Sequence, residues 1–108
     1  MKGYSLLIQK VITKIDSDLT ADLSLNALAA YLNVNASYLS NLFKKEVGVS
    51  PQQYLISVRM KQALELLRQE RYTVSMIAAS VGYDDLFTFS RCFKKYYGVP
   101  PTAYKELQ

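Results

Sequence analysis

At 108 residues, half hydrophobic and a fifth charged, the chain has globular composition and room for one ordinary core, or two small ones sharing an element. It has no histidine and one cysteine, Cys92, which excludes a catalytic histidine, a Cys/His metal cluster and an internal disulfide. A net charge of +4 is compatible with nucleic acid without requiring it, and no apolar run approaches the about 20 residues that cross a bilayer.

Seven helices can be placed in chain order. The first covers about residues 5–16, where Leu7, Ile8, Val11, Ile12 and Ile15 recur on one face at helical spacing. Asp16, Asp18 and Asp22 cluster from its last residue onward, ahead of the second helix. Ser24 suits the N-cap of a second helix over 25–32. A turn at Asn33-Val34-Asn35 leads into a third over 36–47, which Gly48 stops. Ser50 as N-cap and Pro51 in the first turn open a fourth helix that reaches about residue 69. Its pattern is Tyr54, Leu55, Val58, Ala63, Leu66 and Leu67. Thr73 or Val74 opens a fifth helix, stopped at Gly82. Asp84 is placed as the N-cap of a sixth that runs to Tyr97, Gly98 ends it, and Pro101 starts a short seventh. No strand pattern competes, so the predicted class is all-α.

The chain then proves to say one phrase twice. Ala29-Ala30 returns as Ala78-Ala79, Phe43-Lys44-Lys45 as Phe93-Lys94-Lys95, Gly48-Val49 as Gly98-Val99, Pro51 as Pro101 and Tyr54 as Tyr104. The offset is 49 residues before the middle turn and 50 after it, so the second copy carries one extra turn residue. The repeated unit is a short helix, a tight turn and a second helix with a basic end. That is the outline of a helix-turn-helix reader of DNA, in tandem. The turn needs a residue tolerant of positive φ, supplied by Asn33 in one copy and Gly82 in the other. Ala29 and Ala78, four residues earlier, allow the paired helices to approach.

The second helix of each repeat divides into two stripes. Leu39, Leu42, Phe43 and Val47 face a core in the first copy, as do Phe89, Cys92, Phe93 and Tyr96 in the second. Cys92, on the repeat position of Leu42, is expected to pack as a small hydrophobe. The opposite stripes carry Ser37, Ser40, Asn41 and Lys44 in one copy, and Thr88, Arg91 and Lys95 in the other. Arg can hold guanine with both arms of its fork, Asn can hold adenine, and Thr can meet a thymine methyl. Lys44, Lys45, Lys94 and Lys95 would lie near phosphates, which position a protein without reading sequence. The same polar residues are also what a plain solvated surface would carry. Phe87, near the start of its helix, either meets a thymine methyl or a partner surface, or tucks into the core. The long fourth helix, about 30 Å of rod, would hold the two recognition helices about one DNA turn apart.

These residues resemble the DNA-binding domain of the AraC/XylS family of transcriptional regulators. The matching strings are Leu25-x-x-Leu28-Ala29, Tyr38-Leu39-Ser40-x-x-Phe43-Lys44-Lys45-x-x-Gly48 and Tyr54-x-x-x-x-Arg59-x-x-x-Ala63-x-x-Leu66-Leu67. They continue with Ile77-Ala78-x-x-Val81-Gly82-Tyr83, Phe89-Ser90-Arg91-x-Phe93-Lys94-Lys95-x-x-Gly98-Val99-Pro100-Pro101 and Tyr104. The resemblance implies two helix-turn-helix subdomains, at 5–49 and 71–108, joined by a linker helix over 50–70. It implies binding to double-stranded promoter DNA and, usually, activation through RNA polymerase. By position it puts base-reading sites on Ser37, Ser40, Asn41, Phe87, Thr88 and Arg91. Thr88 stands where many members carry tyrosine, and Ser37 where the family often has a bulkier or more strongly hydrogen-bonding residue. The resemblance also implies a free-standing regulator or the carboxyl-terminal piece of a longer one, whose remainder would sense, dimerise or act as a receiver.

Other functions compete. A helical interaction module would turn the basic stripes to an acidic protein instead of DNA. An enzyme is disfavoured, because the acids are scattered and no general acid/base pair stands at a recognisable spacing. No cofactor or metal is expected, and a reducing cytoplasm is the expected location.

Overall fold

The computed structural model describes residues 3–106, and among them there are seven helices and no strand. They are α1 (Leu6–Ser17), α2 (Leu25–Leu32), α3 (Ala36–Val47), α4 (Pro51–Arg68), α5 (Val74–Ser80), α6 (Leu86–Tyr97) and α7 (Pro101–Glu106). The chain divides into two compact units, one ending at Ser57 and the other starting at Val58, so α4 contributes to both. No helix among the described residues is long and apolar enough to cross a membrane.

In the first unit, Ile8, Val11, Ile12 and Ile15 of α1 are buried with Leu23, Leu28, Ala29, Leu39, Phe43 and Leu55. Each of the larger of these, from valine to phenylalanine, contributes about 1.5–3 kcal/mol by leaving water. Side-chain caps fix where the helices begin. The Ser5 hydroxyl accepts from the Ile8 N–H, Ser24 from Ala27, and Asn35 from Tyr38. Two contacts tie the start of α4 to this unit: Gln52 Nε2 donates to the Leu23 carbonyl at 2.9 Å, and the Tyr54 ring meets Phe43 edge-on at 5.7 Å.

The second unit repeats the plan with Met60, Ala63, Leu67, Ile77, Ala78, Val81, Phe89 and Phe93 buried. Its core is more aromatic, with Phe93 touching Phe89, Tyr97 and Tyr104 at centroid distances of 5.9, 4.8 and 6.1 Å. Two expectations are corrected here. Tyr96 does not face in: it is 45% exposed, and Tyr97 takes the inward place beside Phe93. The N-cap of α6 is Asp85 and not Asp84, for its carboxylate accepts from the N–H groups of Phe87 and Thr88. The repeat offset explains the shift. Asp85 lies 50 residues after the Asn35 cap, and Asp84 is the extra turn residue of the second copy.

Candidate nucleic-acid interface

Both helix-turn-helix turns close in the same way. Asn33 sits at φ 58° and Gly82 at φ 100°, in the left-handed region that the sequence demanded of them. In the first copy the Asn33 N–H donates to the Ala30 carbonyl at 3.2 Å and Val34 to Ala29 at 2.9 Å. In the second, Gly82 donates to Ala79 at 3.2 Å and Tyr83 to Ala78 at 2.9 Å. This paired pattern is a Schellman closure, which satisfies the last carbonyls of the shorter helix while reversing the chain. Ala29 and Ala78 carry two of those four carbonyls and are buried, so a larger side chain would push the helices apart.

α3 and α6 are thereby held with one face inward and one outward. On α3, Leu39 and Phe43 are buried, while Ser37, Asn41, Lys44 and Lys45 are exposed and Ser40 is half-buried. On α6, Phe89 and Phe93 are buried, while Phe87, Thr88, Arg91, Lys94 and Lys95 are exposed. Phe87 is 67% exposed, so it does not join the core. Gly48 (φ 97°) and Gly98 (φ 87°) end the two helices by donating to the carbonyls of Lys44 and Lys94. The paired lysines occupy each last turn, where cations also suit the helix dipole.

Three features add chemistry to this surface. The Arg91 guanidinium carbon lies 5.7 Å from the centroid of the Phe87 ring, one helical turn back on the same face. The Thr88 hydroxyl donates to Asp85 Oδ2 at 2.7 Å, so its proton is committed to the helix cap and only its oxygen and methyl remain for a partner. That hydroxyl bond, with the Phe87 N–H, holds the Asp85 carboxyl below the usual carboxylate range. The acid is therefore charged at the N-terminal end of α6, where an anion is favourable.

Two residues behave otherwise than expected. Cys92 is half-buried, and the Tyr83 hydroxyl donates to its sulfur at 3.3 Å, so it acts as an acceptor as well as a filler. Burial foremost, and that contact next, keep the Tyr83 phenol protonated far above its ordinary range. Tyr38 belongs to the family motif but not to the expected base readers. It is 57% exposed and stands 50 residues before Thr88, at the matching place on the outward face of α3. Applying the repeat offset would have added it to the candidate readers. Arg59, half-buried with its guanidinium 5.3 Å from the Tyr83 ring, packs within its own unit, away from the reading role that Arg91 is offered. No group of three or more carboxylates or thiols among the described residues could hold a metal ion.

A helix-turn-helix domain family matches residues 28–107. The chain is 35% identical over 108 residues to the Msm operon regulatory protein of Streptococcus mutans, covering 99% of this chain and 38% of that protein. It is 43% identical over 79 residues to the raffinose operon transcriptional regulatory protein RafR of Pediococcus pentosaceus, covering 73% of this chain and 28% of that one. The chain thus spans well under half the length of these curated relatives. Among solved structures, the C-terminal domain of AraT, a response regulator from Geobacillus stearothermophilus, superposes with a TM-score of 0.94 at 35% identity, covering 99% of this chain and 89% of that domain.

Proposed function

The chain belongs to the AraC/XylS type of helix-turn-helix DNA-binding domain, and from that premise we propose that it is the DNA-reading part of a transcriptional regulator, most often an activator. The observation that carries this reading is the pair of matched outward faces. Two helices, each closed by the same turn, expose hydrogen-bonding side chains along their length and two lysines at their ends.

In this reading α3 and α6 enter successive major grooves of double-stranded promoter DNA, joined through the 18 residues of α4, about 27 Å of helix. Ser37, Ser40 and Asn41 face bases from α3, and Phe87, Thr88 and Arg91 from α6. Lys44, Lys45, Lys94 and Lys95 meet phosphates. RNA polymerase is the partner through which a DNA-bound activator of this type would act. The intact protein carries a further sensing, dimerising or receiver domain, which the partial coverage of the relatives supports. It works in the cytoplasm, where promoter DNA is accessible.

Selection of binding sites from random duplex DNA, followed by titration of the selected site at several salt concentrations, tests the reading. A preferred sequence should emerge. If all four lysines neutralise phosphates, log K should fall with log salt at a slope of about −3.6 or steeper. Failure to bind any DNA at low salt would instead leave the basic faces to an acidic protein.

A further inference from the structure

We propose that Phe87 and Arg91 work as one reading unit for a thymine adjacent to a guanine. The inference rests on the outward face of α6 being the base-reading face, and it names the dinucleotide that this face would select.

One apolar side chain of α6 lies on its outward face. Phe87 is 67% exposed at the start of a helix whose other phenylalanines, Phe89 and Phe93, are fully buried. Its neighbour on that face is Arg91, four residues on, with the guanidinium 5.7 Å from the ring centroid. Within about 6 Å of a ring, a cation is attracted by the π face. The ring therefore gives the arginine a preferred place to lie, and an arginine held in place loses less side-chain freedom when its fork engages a base. The fork fits guanine N7 and O6. What remains of the ring is an apolar surface next to the bound guanine. In the major groove the one apolar group on a base edge is the thymine methyl. Thr88 offers little competition as a donor, because its hydroxyl proton is already given to Asp85.

Uracil in place of thymine isolates the contact, since it removes the methyl and leaves base pairing intact. Sites selected by the 108-residue chain should contain adjacent thymine and guanine in the part covered by α6. Replacing that thymine by uracil should weaken wild-type binding about fourfold, the worth of one buried methyl group. Phe87→Ala should bind the thymine and uracil sites equally, while Phe87→Leu should keep most of the difference. Because Phe87 is exposed, these variants should fold, and circular dichroism checks it. Three results overturn the proposal: selected sites with no adjacent thymine and guanine, no uracil effect in wild type, or an undiminished uracil effect in Phe87→Ala. With any of these the wider base-reading role of α6 still stands. Recovery of no preferred sequence at all would remove both together.

Discussion

Removing the Arg91 side chain should separate what it does for folding from what it does for binding. The guanidinium is exposed and rests on an exposed ring, a contact worth about 0.5–1 kcal/mol at such sites. Arg91→Ala should therefore lower the melting temperature by no more than about 4–8 °C, the shift expected for 1 kcal/mol in a small domain. On the selected DNA site the same change should cost about 1–3 kcal/mol, a loss of roughly 5- to 150-fold, and relax preference at one base pair. Arg91→Lys sharpens the test. It keeps the positive charge but not the planar fork, so it should hold its affinity for random DNA and still lose the guanine preference. Equilibrium titration of the selected and scrambled duplexes at one fixed salt concentration, alongside thermal denaturation, measures both quantities. Equal losses on selected and scrambled DNA would show that Arg91 supplies charge only. A Lys variant with wild-type discrimination would show that Arg91 makes no bidentate contact to guanine.

The other expectations concern anchoring, the turns and acid stability. Lys44→Ala should weaken binding to all sequences alike and reduce the salt slope by about 1; a loss confined to the selected site would make Lys44 a base reader. Asn33→Ala and Gly82→Ala each force an alanine into the left-handed region and should destabilise by about 1–2 kcal/mol in chemical denaturation, whereas Asn33→Gly should be tolerated; an unchanged Asn33→Ala would mean the turn is not strained. Asp18 and Asp85, both held below the ordinary carboxylate range by their hydrogen bonds to threonine, should favour folding fully above about pH 4 and lose that effect as pH falls through their folded values. Asp16, raised by burial, acts in the opposite sense. Melting temperature followed from pH 6 to pH 2.5 should therefore drop on the acid side, and Asp85→Asn should lessen the drop. An identical acid limb in that variant would deny the cap its electrostatic part.

The repeat made most of this fold readable, and the places where reading slipped are local. Helix boundaries at Leu25–Leu32 and Ala36–Val47 agree with caps and stops visible as Ser24, Asn33 and Gly48. Asp84 and Asp85 are chemically equivalent candidates for one cap, and only the change of offset from 49 to 50 tells them apart. Tyr96 and Tyr97 pose the same difficulty at the far end of α6, where neighbouring tyrosines differ by about 100° around the axis and both have an apolar body. The Thr88–Asp85 bond and the Arg91–Phe87 stack depend on rotamers, which periodicity does not encode. The polar stripe was legible for a simpler reason: once Leu39 and Phe43, or Phe89 and Phe93, are assigned inward, helix geometry leaves the remaining residues only one side to occupy.

The register of the repeat bears on how sequence information is shared between the two readers. At the offset of 50, Asn41 corresponds to Arg91 and Ser37 to Phe87. Each recognition helix thus presents one side chain capable of two hydrogen bonds at the same station, preceded one turn earlier by a smaller or apolar group. The stations match, but their chemistry does not. Asn suits adenine and Arg suits guanine, each bidentate pair being worth about 1–3 kcal/mol of discrimination. Serine at position 37 offers one rotatable hydroxyl that can donate or accept, which tolerates several bases. Phenylalanine at position 87 tolerates few polar edges. The lysine pairs are identical in both copies, and on phosphates they would add affinity without adding preference. Two helices built on one plan would therefore contribute similar anchoring and unequal selectivity, with α6 the more discriminating. The outward side chains at these stations differ in chemistry between the copies, while the Schellman closure, the buried alanine and phenylalanine (Ala29 and Phe43, Ala78 and Phe93) and the lysine pair recur. That is the division expected if the scaffold is required for docking and the stations alone are free to specify the sequence.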